Sequence, residues 1–402
     1  MKRQKSNKKI LMIIPGLKFH IDEGAKHRLY SFIDTYIGAG YQITVLLLFS
    51  YPSLKYLFKY KNYLREDVGW ILMPCFGFSR GLFLKALTIF TGQVCLFFLN
   101  LWNKYVFIQA EHNYGGQIAR FKRRNTPLIV DFHGESADEY HFLHPALPET
   151  HPKLKSIKNS TIRAVRLADF IIVVSENLKT ALEKISSQKI NNYFVMPCCV
   201  DYERFQRQPL ATLSEKYADR ILLGYCGGLQ KWQNIHSILH IVSELRKKDA
   251  RIFFLLFTNF PTESIKPELD RLGAGHYAVY SLTGRQIPEY LPLMDAGFLI
   301  RDQRLLNQVS SPTKILEYLA AGVPVIATQY AGDIKETVKS GENGLILPDV
   351  EISGEQIDRI FQFICNVKNN RATIKTTCQN SVQDRTWSKF SMRLLKKIEE
   401  LI

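Results

Sequence analysis

"SSPTKILEYLAAGVPVIAT", Ser310 to Thr328, is the stretch on which the architecture turns. Ile315, Leu316 and Leu319 repeat at helical spacing, Ala320, Ala321 and Gly322 end the helix, and Pro324 opens a continuous apolar run. A helix that delivers the chain straight into a buried strand is half of a βαβ unit. The spacing predicts Ser311 as the N-cap, Pro312 as the first helical residue and Lys314 in the first turn, beside exposed N–H groups and the positive end of the dipole. A capping box would carry Glu or Gln at that end. The lysine either points into water or shares the place with an anion.

The same rhythm runs through the whole chain. In the first half, "KILMIIPG", "YQITVLLLF", "WILMPC", "YVFIQA", "PLIVDFHG", "FIIVVS" and "YFVMPCC" alternate with longer helical stretches. The second half restarts it with "RILLGYCGG", "RIFFLLFTN", "YAVYSLTG", "AGFLIR", "VPVIAT" and "NGLIL". Near-continuous apolar strands between helices predict parallel sheets covered on both faces, and the restart predicts two doubly wound Rossmann-like domains. The polar segment "CCVDYERFQRQPLATLSEKYADR" separates them, with a boundary expected near 200–215. Ligands of such sheets bind outside the carboxyl ends of the strands, so two domains in series would share a cleft there.

Composition excludes disorder: 402 residues are 46% hydrophobic and 12% aromatic, enough for two or three cores. The seven cysteines include no C-x-x-C pair, which suits a reducing compartment and no structural zinc. "MKRQKSNKK" is followed by a short apolar run ending at Pro15-Gly16, which reads as a first strand and not as a signal peptide. The apolar segment Leu82 to Trp102 is interrupted by Lys85, Thr88, Thr91, Gln93 and Asn100. It reads first as a buried helix flanking a sheet, with a membrane-dipping helix as the alternative. Of the net +16, residues 1–200 hold +13 and residues 201–402 hold +3. That asymmetry points to a polyanion facing the first half, nucleic acid or an anionic membrane surface, beside the plainer reading of a solvated basic face.

Several loops after strands carry candidate groups. "IIPGLKFHIDEGAKHR" places Gly24 where backbone N–H groups could approach a phosphate or an acceptor, with Lys26 and Arg28 beyond it; a simple turn explains the glycine equally. His133, after "LIVDF", could contact sugar hydroxyls or be a hydrogen-bonded structural histidine. Gly227 and Gly228 permit close approach of a ligand or form a tight turn, and Lys231 adds charge. Arg301 and Arg304 follow a strand and lead into the helix of Lys314, three cations that would make a diphosphate-sized site at the helix N-terminus, Ser311–Thr313. Glu317, one turn beyond Lys314, could pair with it or accept hydrogen bonds from two ribose hydroxyls.

With these residues in view, "SPTKILEYLAAGVPVIAT" and "GDIKETVKSGENGLILP" resemble the signature block of the family 4 retaining glycosyltransferases of the GT-B fold. In that block a glutamate before "A-G-x-P-V-I-A" binds the nucleotide ribose, which here is Glu317. "LADFIIVVSENLKTAL" and "MPCCVDYERF" resemble further stretches of the family, and the pattern around Lys314 resembles a subgroup of bacterial surface polysaccharide assembly. There are departures: the family often has a second glutamate eight positions earlier, where this chain has Val309. Its loop arginine and lysine correspond to Gly228 and Gln233.

The resemblance implies an acceptor domain over 1–205 and a nucleotide-sugar domain over 206–384, with a helix at about 385–402 packing back on the first. It implies transfer from a UDP-sugar or GDP-sugar to a lipid-linked or other saccharide acceptor, on the cytoplasmic side and peripheral to the inner face of the membrane. His133, Arg301 and Lys314 would serve the chemistry; Glu317, Ser311, Pro312, Thr313, Gly227, Gly228, Lys231 and Gly24 the donor; Lys26 and Arg28 the acceptor. No D-x-D occurs, and no cofactor or metal is expected, because protein cations would stabilise the leaving diphosphate. A sugar-nucleotide epimerase of the same fold and a basic nucleic-acid-binding protein are the alternatives; no RNP-like or zinc pattern favours the latter, so no nucleic-acid partner is expected.

Overall fold

Each apolar run quoted above forms a strand in the computed structural model, which describes residues 8–16, 24–51, 64–78 and 81–402. The first seven are β1 (Lys9–Pro15), β2 (Gln42–Ser50), β3 (Gly69–Cys75), β4 (Tyr105–Glu111), β5 (Leu128–Phe132), β6 (Phe170–Val173) and β7 (Tyr193–Val195). The next six are β8 (Ile221–Cys226), β9 (Ile252–Phe257), β10 (Tyr277–Tyr280), β11 (Ala296–Leu299), β12 (Val325–Thr328) and β13 (Gly344–Leu347). They pair in parallel throughout, as one sheet of order β3-β2-β1-β4-β5-β6-β7 and a second of order β10-β9-β8-β11-β12-β13. β5, β6, β8, β9, β11 and β12 are buried at every residue, the reason they read as unbroken apolar runs and not as alternating ones.

Strand order reverses between β1 and β4 in one sheet and between β8 and β11 in the other. At those points neighbouring crossovers leave in opposite directions and open a crevice at the carboxyl ends. Pro15-Gly16 and Glu111-His112 lie at the first; Cys226-Gly227 and Ile300-Arg301 lie at the second.

The helices used below are α1 (Gly24–Gly38), α2 (Leu82–Trp102), α3 (His112–Ile118), α4 (Pro152–Leu167), α5 (Thr313–Ala320), α6 (Arg371–Val382) and α7 (Trp387–Glu399). α3 and α4 approach closely because Gly116 has no side chain: a Cβ there would lie 2.8 Å from the Ala164 Cβ. α2 departs from the expectation of a buried flanking helix. Phe83 and Trp102 are 78% and 76% exposed, whereas the residues it buries are Lys85, Thr88, Gly92, Leu96 and Asn100.

The chain divides into unit 1, residues 1–198 with 388–402, and unit 2, residues 199–387. The expected division was at 205/206 and 384/385. The segment after Cys198 belongs with unit 2 because the Val200 N–H donates to the Arg385 carbonyl at 3.1 Å and Val200 bridges Thr386. α7 returns to unit 1, where the Ser391 and Ser31 hydroxyls share a hydrogen bond, Tyr41 donates to Glu399 and Leu394, Leu395 and Ile398 are buried.

Candidate functional site

In unit 1, polar groups gather where β1, β4 and β5 end. Arg28 on α1 is 2% exposed and binds Asp131 through two parallel bonds, Nε to Oδ2 at 2.7 Å and Nη2 to Oδ1 at 2.8 Å. Its Nη1 donates to the Met196 carbonyl at 2.6 Å. Arg28, expected at the acceptor, is therefore committed inside the unit and orients Asp131. His133 lies with Nε2 at 2.9 Å from Asp131 Oδ2 and 3.2 Å from Glu111 Oε2, and its ring packs edge-on against His112 at 4.5 Å.

Electrostatics sets the protonation of this cluster. Burial disfavours a charged His133, but the Asp131 and Glu111 carboxylates outweigh it and raise its pKa. Burial pushes Glu111 up to about 7 despite His133, while Arg28 and His133 overcome burial to hold Asp131 well below the usual carboxylate range. Burial and the neighbouring His133 push His112 down to about 3. His112 also sits in the left-handed region at φ 54°, which a non-glycine residue adopts at a cost of about 1–3 kcal/mol.

A cavity of about 210 Å³ opens on these groups, lined by Pro15, Gly16, Ala25, Glu111, His112 and His133. Glu111, His112 and His133 offer ligand atoms within 4.8 Å of one another, a spacing that could hold a metal ion. Arg28 already pairs with Asp131, and His133 lies against both Asp131 and Glu111. Gly24 is the first residue of α1, and Lys26 is half-buried on the same helix; the remainder of the expected loop, 17–23, lies outside the described residues. Glu111, His112 and Asp131 escaped the sequence reading, although an aspartate inside "LIVDF" and "EH" closing "YVFIQA" were visible signals.

Unit 2 builds its site around Lys314. α5 begins at Thr313 with Pro312 as its N-cap and no side-chain capping bond, so Ser311 is not the cap expected. Ser311 instead donates to Asp333 Oδ2 at 2.9 Å and accepts from Arg385, fastening this loop inside the unit. Lys314 Nζ donates to the Tyr225 hydroxyl and to Gln233 Oε1, both at 3.0 Å, and lies 4.9 Å from the centre of the Tyr225 ring. Burial, reinforced by the charge of Arg301, pushes its pKa down to about 7.

Arg301 is 6% exposed; its Nη1 donates to the Trp232 carbonyl at 2.6 Å, while its buried Nε has no hydrogen-bond partner in the structure. Burial lowers its pKa to about 10. Arg304 does not join them, since it pairs with Asp302 at 2.7 Å. Glu317 lies half-buried one turn beyond Lys314, Lys231 is exposed on a short 3-10 turn, and Val309 is 1% exposed. Gly227, at φ 146°, makes room for Lys314, and the Gly228 carbonyl accepts from the Tyr225 hydroxyl at 2.7 Å.

Thus unit 2 brings Lys314, Arg301, Gly227 and Gly228 around one tyrosine, and unit 1 brings His133 and Arg28 onto one aspartate. Residues 220–362, most of unit 2, match the family described as "Glycosyl transferases group 1".

The putative teichuronic acid biosynthesis glycosyltransferase TuaH of Bacillus subtilis (strain 168) is 27% identical over 180 residues, 43% of this chain and 44% of that protein. The capsular polysaccharide biosynthesis glycosyltransferase CapM of Staphylococcus aureus is 26% identical over 249 residues, 58% of this chain and 60% of that protein. The matches span about half the length of these relatives. Among solved structures, Anabaena Alr3699/HepE in complex with UDP aligns over 98% of this chain and 100% of its own, with a TM-score of 0.68 at 16% identity. The chain has the GT-B fold.

Proposed function

We propose that this chain is a retaining glycosyltransferase of the family 4 type, moving a sugar from a UDP-sugar or GDP-sugar to a lipid-linked saccharide acceptor in bacterial surface polysaccharide assembly. One observation carries the reading: the half-buried Lys314 and the buried Arg301 lie beside one tyrosine, and the oxygens that receive their hydrogen bonds, on Tyr225, Gln233 and Trp232, are neutral. The Glu317 and Asp302 carboxylates act on Lys314 and Arg301 through space, burial still holds both pKa values down, and a diphosphate would add negative charge at hydrogen-bond distance. The polysaccharide biosynthesis roles of TuaH and CapM and the UDP held by HepE support the same donor and pathway class. Seven free cysteines suit the reducing cytoplasmic side.

In the reaction the bond from the sugar C1 to the diphosphate oxygen breaks, and negative charge gathers on the leaving group. Lys314, Arg301 and the backbone N–H groups of the first helical turn from Thr313 oppose that charge. The acceptor hydroxyl attacks C1 from the face the diphosphate leaves, and its proton passes to the departing oxygen. Glu317 holds the two ribose hydroxyls, Gly227, Gly228 and Lys231 line the donor loop, and Ser311 steadies the helix start through Asp333. His133, fixed by Asp131 and Glu111, contacts the transferred sugar, with Lys26 serving the acceptor and Gly24, at the start of α1, the donor.

Donor hydrolysis and transfer assays on Glu317→Ala and Lys314→Ala test this. A loss of about 100-fold or more in kcat/KM is expected for Lys314→Ala, with a raised donor KM for Glu317→Ala. Unimpaired turnover in both overturns the assignment. A thermal-shift screen against UDP, GDP and ADP identifies the base: a ligand at 100 times its Kd adds about 2.7 kcal/mol.

A further inference from the structure

α2 is built inside out for a soluble protein. The face it turns to unit 1 carries Lys85, Thr88, Gly92, Leu96 and Asn100. Lys85 Nζ donates to the Ser156 carbonyl and hydroxyl and to the Ser160 hydroxyl at 2.7–3.0 Å, and Asn100 Nδ2 donates to the Phe121 carbonyl at 3.1 Å. Gly92 lets the helix settle on Ile118. The opposite face carries Phe83, Phe90, Phe97, Phe98, Leu101 and Trp102, which are 49–78% exposed. Amphipathic helices of globular domains do the reverse, because exposing large apolar side chains costs about 25 cal/mol per Å². A contiguous patch of this kind marks a docking surface.

Charge around the carboxyl end of α2 says what covers it. Asn100 ties α2 to the segment from Ala119 to Arg124, and the Arg123 guanidinium donates to the Asn100 carbonyl at 3.0 Å. Lys104, Arg120, Arg123 and Arg124 are exposed there beside the exposed Phe121. Aromatic rings next to a cluster of cations match the acyl boundary and the phosphates of an anionic lipid surface. A second copy of the chain would bring like charges together.

We propose that α2 is a monotopic membrane-docking helix, lying in the plane of an anionic bilayer with its aromatic face in the acyl boundary and the cations of 104–124 on the headgroups. At 21 residues it is about 31 Å long, and its hydropathy is that of a membrane span. It does not cross, because crossing would strip Lys85 and Asn100 from their partners in unit 1. This surface is independent of the donor-site reading.

The full chain is floated with vesicles of phosphatidylcholine and phosphatidylglycerol, and with phosphatidylcholine alone. Wild type floats with the anionic vesicles, and the triple variant Phe90→Ser, Phe97→Ser, Trp102→Ser partitions at least about tenfold less while keeping its thermal midpoint. Lys104→Gln with Arg120→Gln and Arg124→Gln abolishes the preference for the anionic vesicles. In the unsubstituted chain, lipids brominated in the acyl chain quench Trp102 fluorescence, and Trp102→Phe removes that quench; this arm decides if the triple variant fails to fold. Equal flotation of wild type and triple variant, or equal quenching with and without Trp102, overturns the proposal. So does a wild-type dimer in vesicle-free solution that the triple variant dissolves, which would give the face to a second copy.

Discussion

Gly227 and Lys314 compete for one volume: a Cβ on Gly227 would lie 2.2 Å from the Lys314 Cε and 2.3 Å from its Nζ. The pairing explains why a glycine follows β8. It admits the lysine of a helix 87 residues further along the chain to the Tyr225 hydroxyl, at a φ of 146° that side chains rarely adopt.

Gly227→Ala is therefore expected to cost about 1–3 kcal/mol of stability and to displace Lys314. Thermal melting and UDP titration check both parts. A variant with wild-type affinity for UDP would show that Lys314 need not stay where Gly227 puts it.

Lys314→Met removes a half-buried ammonium and keeps the stem. Free protein should gain about 0.5–2 kcal/mol, while donor turnover falls by about 100-fold or more. Urea denaturation and a transfer assay on one preparation check the opposition of the two effects.

The Lys314 pKa of about 7 lies below that of an unfolded lysine, so between about pH 7 and 10 the unfolded chain holds a proton that the folded chain has released. Its contribution to stability thus rises with pH across that window. A diphosphate favours the charged form, so UDP binding at pH 8 should take up close to one proton. Little uptake is expected at pH 6. Calorimetry in two buffers of different ionisation enthalpy measures this, and Lys314→Met should abolish it.

Asp131→Asn leaves the Arg28 guanidinium buried without its carboxylate. A loss of about 3–5 kcal/mol is expected, and Arg28→Met combined with Asp131→Leu should recover most of it. The wild-type contribution is present above about pH 4, the range of an unfolded aspartate, and is lost as pH falls below it, because the folded pKa is lowered. Chemical denaturation at pH 7 and pH 3 measures each part.

The central strands were legible because burial on both faces writes itself into short, nearly continuous apolar runs, a property of each segment alone. Lys314 was legible for a similar reason: a cation in the first turn of a helix conflicts with the local dipole, whatever surrounds it. Ser311 misled because its capping signature is local while its partners, Asp333 and Arg385, are 22 and 74 residues away. Arg28 looked available until Asp131, 103 residues on, closed over both of its parallel donors.

α2 divides the two kinds of information most clearly. Its length and hydropathy belong to residues 82–102 themselves, and five polar or small interruptions could be counted there. Which face turned inward was decided only when Ser156 and Ser160 met Lys85, and Ile118 met Gly92. Local composition sets what a segment can become, because propensity and burial act over a few residues. The partner of each polar group is set by segments far apart in sequence, since only chain folding brings their donors and acceptors within 3 Å.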